Sequence, residues 1–270
     1  MSYDLDAQRN YLQKITHTEN DTNFADSAYE LQLLNKAYEK SAYKYLWPQT
    51  LKRWFDAHVA YVDRYSLQSD FLKFVFLKSL GDDLEETEME SIDGGIEQYA
   101  VTLDSSQYIL SSTPSEATDA FVTQDNESSG NAVVVLLDTV SGLAAGDEIF
   151  ISNTTSSEFT KIQSVDTSAV TITVKLANSH TSGKSIYRIK DGNYFQYQKE
   201  ITLLSAGADV AILPDTTHLI IPHYAAHLYY KDIEEGDKAK EHLQIWTDDL
   251  SEAWLLYSKT SAGSAGQMTL

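Results

Sequence analysis

Two helical stripes that meet at a glycine, between Pro214 and Tyr257, constrain this chain more than any other stretch. In the first, Leu219, Ile220, His223, Ala226, His227, Tyr230 and Ile233 recur three and four residues apart, which puts them on one face of an amphipathic helix. Pro222 fits that helix only in its opening turn, where no backbone N–H is required. Gly236 breaks the pattern, and Asp237 offers a side-chain oxygen to the free amides of a second helix from Lys238. There Ala239, Leu243, Trp246, Leu250, Ala253 and Tyr257 form the apolar stripe, with Lys240, Glu241, Gln244, Asp248, Asp249 and Glu252 off it. So short a connection predicts an antiparallel pair. Helix initiation is costly in water, so both helices need a surface from earlier in the chain.

That surface is predicted at the other end. Ser27-Ala28-Tyr29-Glu30 has the form of a capping box, with the serine reaching forward and the glutamate reaching back. Leu31, Leu34, Tyr38, Ala42 and Tyr45 then hold one helical face until Trp47-Pro48 stops it. A shorter helix is expected from Leu5 to about His17, followed by a polar loop over Thr16 to Asp26.

Between the ends the period changes. Ala57 to Tyr65 alternates, and Phe71 to Leu77 (FLKFVFL) is rich in β-formers, so both predict strands. From about Ile96 to Ile189 the segments VVVLLD, EIFIS, FTKIQSV, VTITVKL and SIYRI are separated by turn-forming residues, which predicts a small barrel or sandwich. Ser111 to Gly130 reads as a mobile loop or linker at its entrance. Asn193 to Leu204 resumes strand character, as a return to the sheet started at Ala57. The expected fold class is α+β: a helical bundle of the N- and C-terminal helices with a small sheet, plus an inserted all-β module. The expected domains are a discontinuous helical core at 1–95 and 191–260, the β module at 96–190, and a flexible tail at 261–270.

Composition narrows the chemistry. With 40 acidic and 20 basic residues the formal charge is -20, a field that repels phosphate backbones and argues against gripping DNA by neutralising it. The absence of cysteine removes disulfides, thiolate nucleophiles and Cys-based zinc sites together, and fits a reducing compartment. No run approaches a membrane span, and MSYDLDAQRN lacks the basic and apolar regions of a signal peptide, so a protein made and folded in a cytoplasm is expected. The 17 tyrosines suit a protein interface as well as an ordinary core.

No nucleotide cradle, dinucleotide fingerprint or nucleophile elbow is present. His223 and His227, four apart, with His218 and His242 near them in sequence, invite a metal reading. No glutamate follows the first histidine as a hydrolytic zinc helix requires, so core or interface histidines are the better expectation. Asp248 and Asp249 are adjacent on a helix and point in different directions, so they do not close on one substrate atom. The acidic run GDDLEETEMESIDGG lacks the alternating ligand pattern of a calcium loop and reads as a solvated segment. No catalytic, cofactor-binding or metal-ligating residue is therefore assigned, and a non-enzymatic protein without a cofactor is expected.

Three segments in order resemble the adaptor, or head-completion, proteins of tailed-bacteriophage necks: LLNKAYEKSAYKYLWP (Leu33 to Pro48), RYSLQSDFLKFVFL (Arg64 to Leu77) and ILPDTTHLIIPHYAAHLYYKDIEEGDKAKEHLQIW (Ile212 to Trp246). Members of that family have a helix carrying Asn-x-Ala-Tyr and closing on Trp-Pro, matched by Asn35 to Tyr38 and Trp47-Pro48. They also have a Tyr-x-Leu-Pro-x-Asp-Phe strand, matched from Tyr65 to Phe71 except that Gln68 replaces the proline. The resemblance implies a virion protein of the neck, assembled in the host cytoplasm as a homo-oligomeric ring of about twelve copies. Its implied partners are the portal protein and the tail or neck proteins, with DNA passing through the channel unbound and no membrane involved. The β module, outside the matched segments, would project outward. On that basis an alternative is a carbohydrate- or surface-binding virion protein in which Tyr108, Phe121, Phe150 and Phe159 supply stacking faces.

Overall fold

The structure, a computed structural model, describes residues 3–21, 23–25, 27–88, 98–102, 106–153 and 156–264, with side chains through 258. The chain divides into two compact units, one formed by Met1–Leu51 with Lys199–Leu270 and the other by Lys52–Gln198.

The first unit holds four helices, α1 (Leu5–Thr16), α2 (Ala28–Lys44), α3 (Ile221–Asp232) and α4 (Gly236–Ser264). Asp4 caps α1 by accepting the Ala7 N–H at 2.9 Å, and Ser27 caps α2 by accepting the Glu30 N–H at 3.0 Å. The returning half of the capping box is not made. The Glu30 side chain turns inward, where it is fully buried and accepts the Gln13 amide at 2.9 Å, while the Ser27 N–H donates to the Phe24 carbonyl instead. Pro222 lies in the first turn of α3. Leu5, Leu12, Leu34, Tyr38, Trp47, Ile221, Ala226, Trp246 and Leu250 share one core.

Side chains of the N-terminal helices also bond the backbone of the returning segment. The Asn35 amide pairs with both the N–H and the carbonyl of Leu204, at 2.9 Å each. The Tyr43 and Tyr38 hydroxyls accept the N–H groups of Ile201 and Ile212, each at 3.0 Å. Trp246 donates to the Ser41 hydroxyl at 2.9 Å. Gly207 runs so close to the Asp6 carboxylate that a Cβ there would overlap it.

The second unit contains β1 (Leu51–Asp56), β2 (Arg64–Ser66), β3 (Phe71–Ser79), β4 (Asp82–Asp83), β5 (Glu85–Glu86), β6 (Gln98–Val101), β7 (Gln107–Leu110), β8 (Phe121–Val122), β9 (Gly130–Leu136), β10 (Glu148–Ile151), β11 (Glu158–Asp166), β12 (Thr171–Leu176), β13 (Ser185–Arg188) and β14 (Asn193–Lys199). They form three sheets, ordered β1-β14-β3-β4, β2-β7-β6-β5 and β8-β13-β10-β11-β12-β9. The last sheet curls until its ends meet: Thr123 bridges Leu137, Gln124 donates to the Leu136 carbonyl at 2.9 Å, and Asp138 donates to the Val122 carbonyl at 3.0 Å. Inside the curl lies an almost wholly aliphatic core of Val135, Ile149, Ile151, Ile162, Ile172, Val174, Leu176 and Ile186. A different, aromatic core of Tyr65, Phe71, Tyr99, Tyr108, Phe195 and Tyr197 fills the sheets of β1 to β7 and β14.

The expected fold class is corrected by these sheets. The protein is not a helical bundle with a small sheet and an inserted module: its body is mostly sheet, at about 31% strand against 30% helix. The strands between Leu51 and Ser79 do not join the helical unit, because Tyr65, Phe71 and Leu77 pack with Tyr99, Tyr108 and Phe195 of the other strands. Ala57 to Tyr65 is mostly loop rather than strand, with Val59 and Tyr61 facing solvent and Tyr61 at φ 64°. Ser111 to Gly130, expected as a linker, contributes β8 and the Thr123 bridge that bring the curled sheet round. α4 continues through Ser264 into the segment expected as a flexible tail, and 265–270 lie outside the described residues. The expected boundary near Ile96 and the end of the acidic run also fall outside them.

Candidate functional site

The helical unit gathers the histidines singled out from the sequence. His223 on α3 and His242 on α4 approach through their Nδ1 atoms at 3.0 Å, and His223 Nε2 lies 3.3 Å from the Tyr11 hydroxyl of α1. The Tyr230 ring stacks on His242, with ring centres 5.4 Å apart. Burial is the main force lowering the pKa of His223, and the neighbouring His242 lowers it further, against a weaker opposing pull from Asp249. Burial likewise lowers His242, with Glu241 opposing. His227 is elsewhere engaged, donating from Nδ1 to the Ala239 carbonyl at 2.8 Å. His218 accepts the Tyr3 N–H at 3.2 Å and donates to the Leu213 carbonyl at 2.8 Å, which requires the neutral Nε2–H tautomer. Their ring nitrogens tie helices and loops together, and the described residues contain no group of three or more His, Asp or Glu placed to hold a metal ion.

Three of the four expected stacking residues lie inside the protein, and the fourth, Phe159, is half-buried. Tyr108 is fully buried, Phe121 and Phe150 are buried, and Phe159 packs on Phe150 and Tyr194. Tyr108 instead donates to the Asp56 carboxylate at 2.9 Å, to which Trp54 donates at 3.0 Å. Burial raises the Asp56 pKa, partly offset by these two bonds. His58, buried nearby in the same unit, meets the Asn193 amide oxygen at 2.8 Å and the Ser79 hydroxyl at 3.1 Å. These hydrogen bonds run between interior groups and tie strands to one another. In the curled sheet, buried His180 pairs with Glu158 at 2.7 Å, and Glu158 also accepts the Ala177 N–H at 2.8 Å, which pins the loop after β12.

Among the acids, Asp248 accepts the Gln244 amide through both oxygens, at 2.9 and 2.8 Å, and both residues are exposed. Asp83 of the acidic run pairs with Lys78 at 3.3 Å on the surface.

The surface features that sequence reasoning missed lie on α2 and α4. Two shallow grooves of about 320 and 430 Å³ run along α2. Leu31 and Leu203 line the first and Tyr43, Tyr224 and Leu228 the second, while Lys36 and Glu39 belong to both. On α4 the exposed face carries Glu241, Gln244, Asp248 and Glu252, then Leu255 and Leu256, which are 55% and 58% exposed. The sequence signal was available in part: two adjacent leucines lie outside the apolar stripe that buries Leu250 and Ala253. Leu203 at the groove is legible only once the segment before α3 has been folded onto α2.

No protein-family model matches this chain, and no curated protein matches it in sequence.

Proposed function

We propose that this chain is a structural virion protein, a head-to-tail adaptor that joins the portal to the tail as a ring and extends the DNA channel. One observation carries the reading: the two ends of the chain build a helical unit whose prominent surface features are long, open faces, the α2 grooves and the acidic and leucine-bearing side of α4. Faces of this kind suit contact with other proteins. The residues of the neck-protein resemblance support it, since Leu33 to Pro48 and Ile212 to Trp246 form most of α2, all of α3 and the first part of α4, and Arg64 to Leu77 forms β2 and most of β3. A net charge of -20 supports it further, because an acidic ring offers few phosphate clamps to passing DNA. For the carbohydrate-binding alternative, Tyr108, Phe121 and Phe150 are buried and Phe159 is half-buried.

The test is genetic and structural together. Particles assembled without this chain should be DNA-filled or leaking heads that carry no tails, while the heads themselves still form. Normal tail attachment in its absence would overturn the reading.

A further inference from the structure

We propose that α4 of one copy of this chain lies along the α2 groove of a second copy, so that the protein self-associates head to tail. This names the self-contact of the ring proposed above and shares with that reading only the premise that copies of the chain meet. The two faces differ in sign. The groove edge carries Lys36 and Lys40, both exposed and neither within ion-pair distance of an acid among the described residues; Glu39 lies between them on α2, and Glu200 lies towards the Tyr43 end. The exposed side of α4 carries Asp248 and Glu252 with no base four residues away to neutralise either, and then Leu255 and Leu256.

The spacing also agrees. At a rise of about 1.5 Å per residue, Lys40 and Lys36 stand about 6 Å apart along α2, as do Asp248 and Glu252 along α4. With the helices antiparallel, Asp248 faces Lys40 and Glu252 faces Lys36. The next step along both helices brings Leu255 and Leu256 over Leu31 and Leu203, two half-exposed apolar side chains at the groove's other end. Burying the leucines supplies non-directional attraction, and the charges set direction and register. Because groove and stripe are different surfaces, the contact is heterologous, and repeating it generates a ring if the rotation closes or a filament if it does not.

Since the chain has no cysteine, the contact can be read by cross-linking the full-length protein. Chains carrying Leu31→Cys are mixed with chains carrying Leu256→Cys under mild oxidation, with Val134→Cys, an exposed position in β9, replacing Leu31→Cys as control. The 31–256 dimer should form about tenfold faster than the control pair, and Lys36→Glu with Lys40→Glu in the first chain should slow it by about tenfold. Adding Asp248→Lys and Glu252→Lys to the second chain should restore the rate. Circular dichroism on each variant checks that the helices persist. Cross-linking no faster than the control, a rate indifferent to charge reversal, or failure of the double reversal to restore it would each overturn the proposal. Tail attachment is scored separately, so the neck reading can stand or fall without this contact.

Discussion

The helical unit and the curled sheet of β8 to β13 solve the same problem in opposite ways. The curled sheet is contiguous in sequence, from Phe121 to Arg188, closes its ladder on itself and fills its interior with Val, Ile and Leu. The helical unit is stitched from chain ends about 150 residues apart, and its core is crossed by side-chain bonds such as Asn35 to Leu204 and Trp246 to Ser41. A closed ladder satisfies backbone groups locally, whereas a stitched unit needs polar side chains to satisfy them across the join. The stitched unit therefore has ordered polar positions that can be broken singly, and long helical faces left over for contact.

The largest effect should come from removing an anchor of the stitched core. Trp47 is fully buried and donates to the Ser41 carbonyl at 3.1 Å. Trp47→Ala is expected to cost about 3–5 kcal/mol, and hydrogen exchange should show α1 to α4 losing protection while β9 to β13 keep theirs. Ile149→Ala should reverse that pattern at a cost of about 2–5 kcal/mol, since Ile149 is fully buried within the curl. Loss of protection in both units from either variant would show that they are not independent.

A smaller effect tests the stitching itself. Asn35→Ala leaves the Leu204 N–H and carbonyl without their side-chain partner and should cost about 1–3 kcal/mol, confined by hydrogen exchange to the helical unit. A change below a few tenths would mean that the join is held by apolar packing alone.

The smallest effect is a pH dependence with a definite sign. In the folded helical unit His223 and His242 are both held below the ordinary value of 6.5, so the unfolded chain binds protons more readily there. Stability is present in full above pH 6.5 and is lost as the pH falls below it towards the folded-state values. In the sheet unit His58 shifts in the same direction, also through burial, while Asp56 shifts upward and regains stability on acidification. Between pH 7 and 5 the helical unit should therefore lose more midpoint stability in urea than the sheet unit, and His242→Gln should flatten its slope. Equal slopes would remove the histidine pair as the cause.

How much of this was legible follows from element length. α2 repeats its apolar face over 17 residues and carries a serine cap, so its period stands out. β2 has three residues and β8 two, too few for alternation to register, so the strand that brings the curl round has the sequence pattern of a linker. Ala57 to Tyr65 alternated convincingly, yet its Tyr61 and Val59 are exposed, and the true strand, β1, preceded it. Nearness in sequence does not place the strands after Pro48 with the helices, because their core residues pack on other strands. The return of Asn193 to Leu204 to the sheet is legible from its strand pattern, and β14 does lie between β1 and β3; the stacking of Tyr65 on Tyr108 of β7 has no local pattern to announce it. Of the four histidines, only His223 and His242 meet; His218 and His227 turn to backbone groups, and these partners, like the Tyr11 hydroxyl, have no signature in the sequence.

The most direct measurement is electron microscopy of the assembled particle at a resolution that separates helices. The account predicts a ring of this chain at the portal vertex, with the helical units of adjacent copies in contact. Density for the chain anywhere else in the particle, or a position there as an isolated copy touching no other, would contradict it.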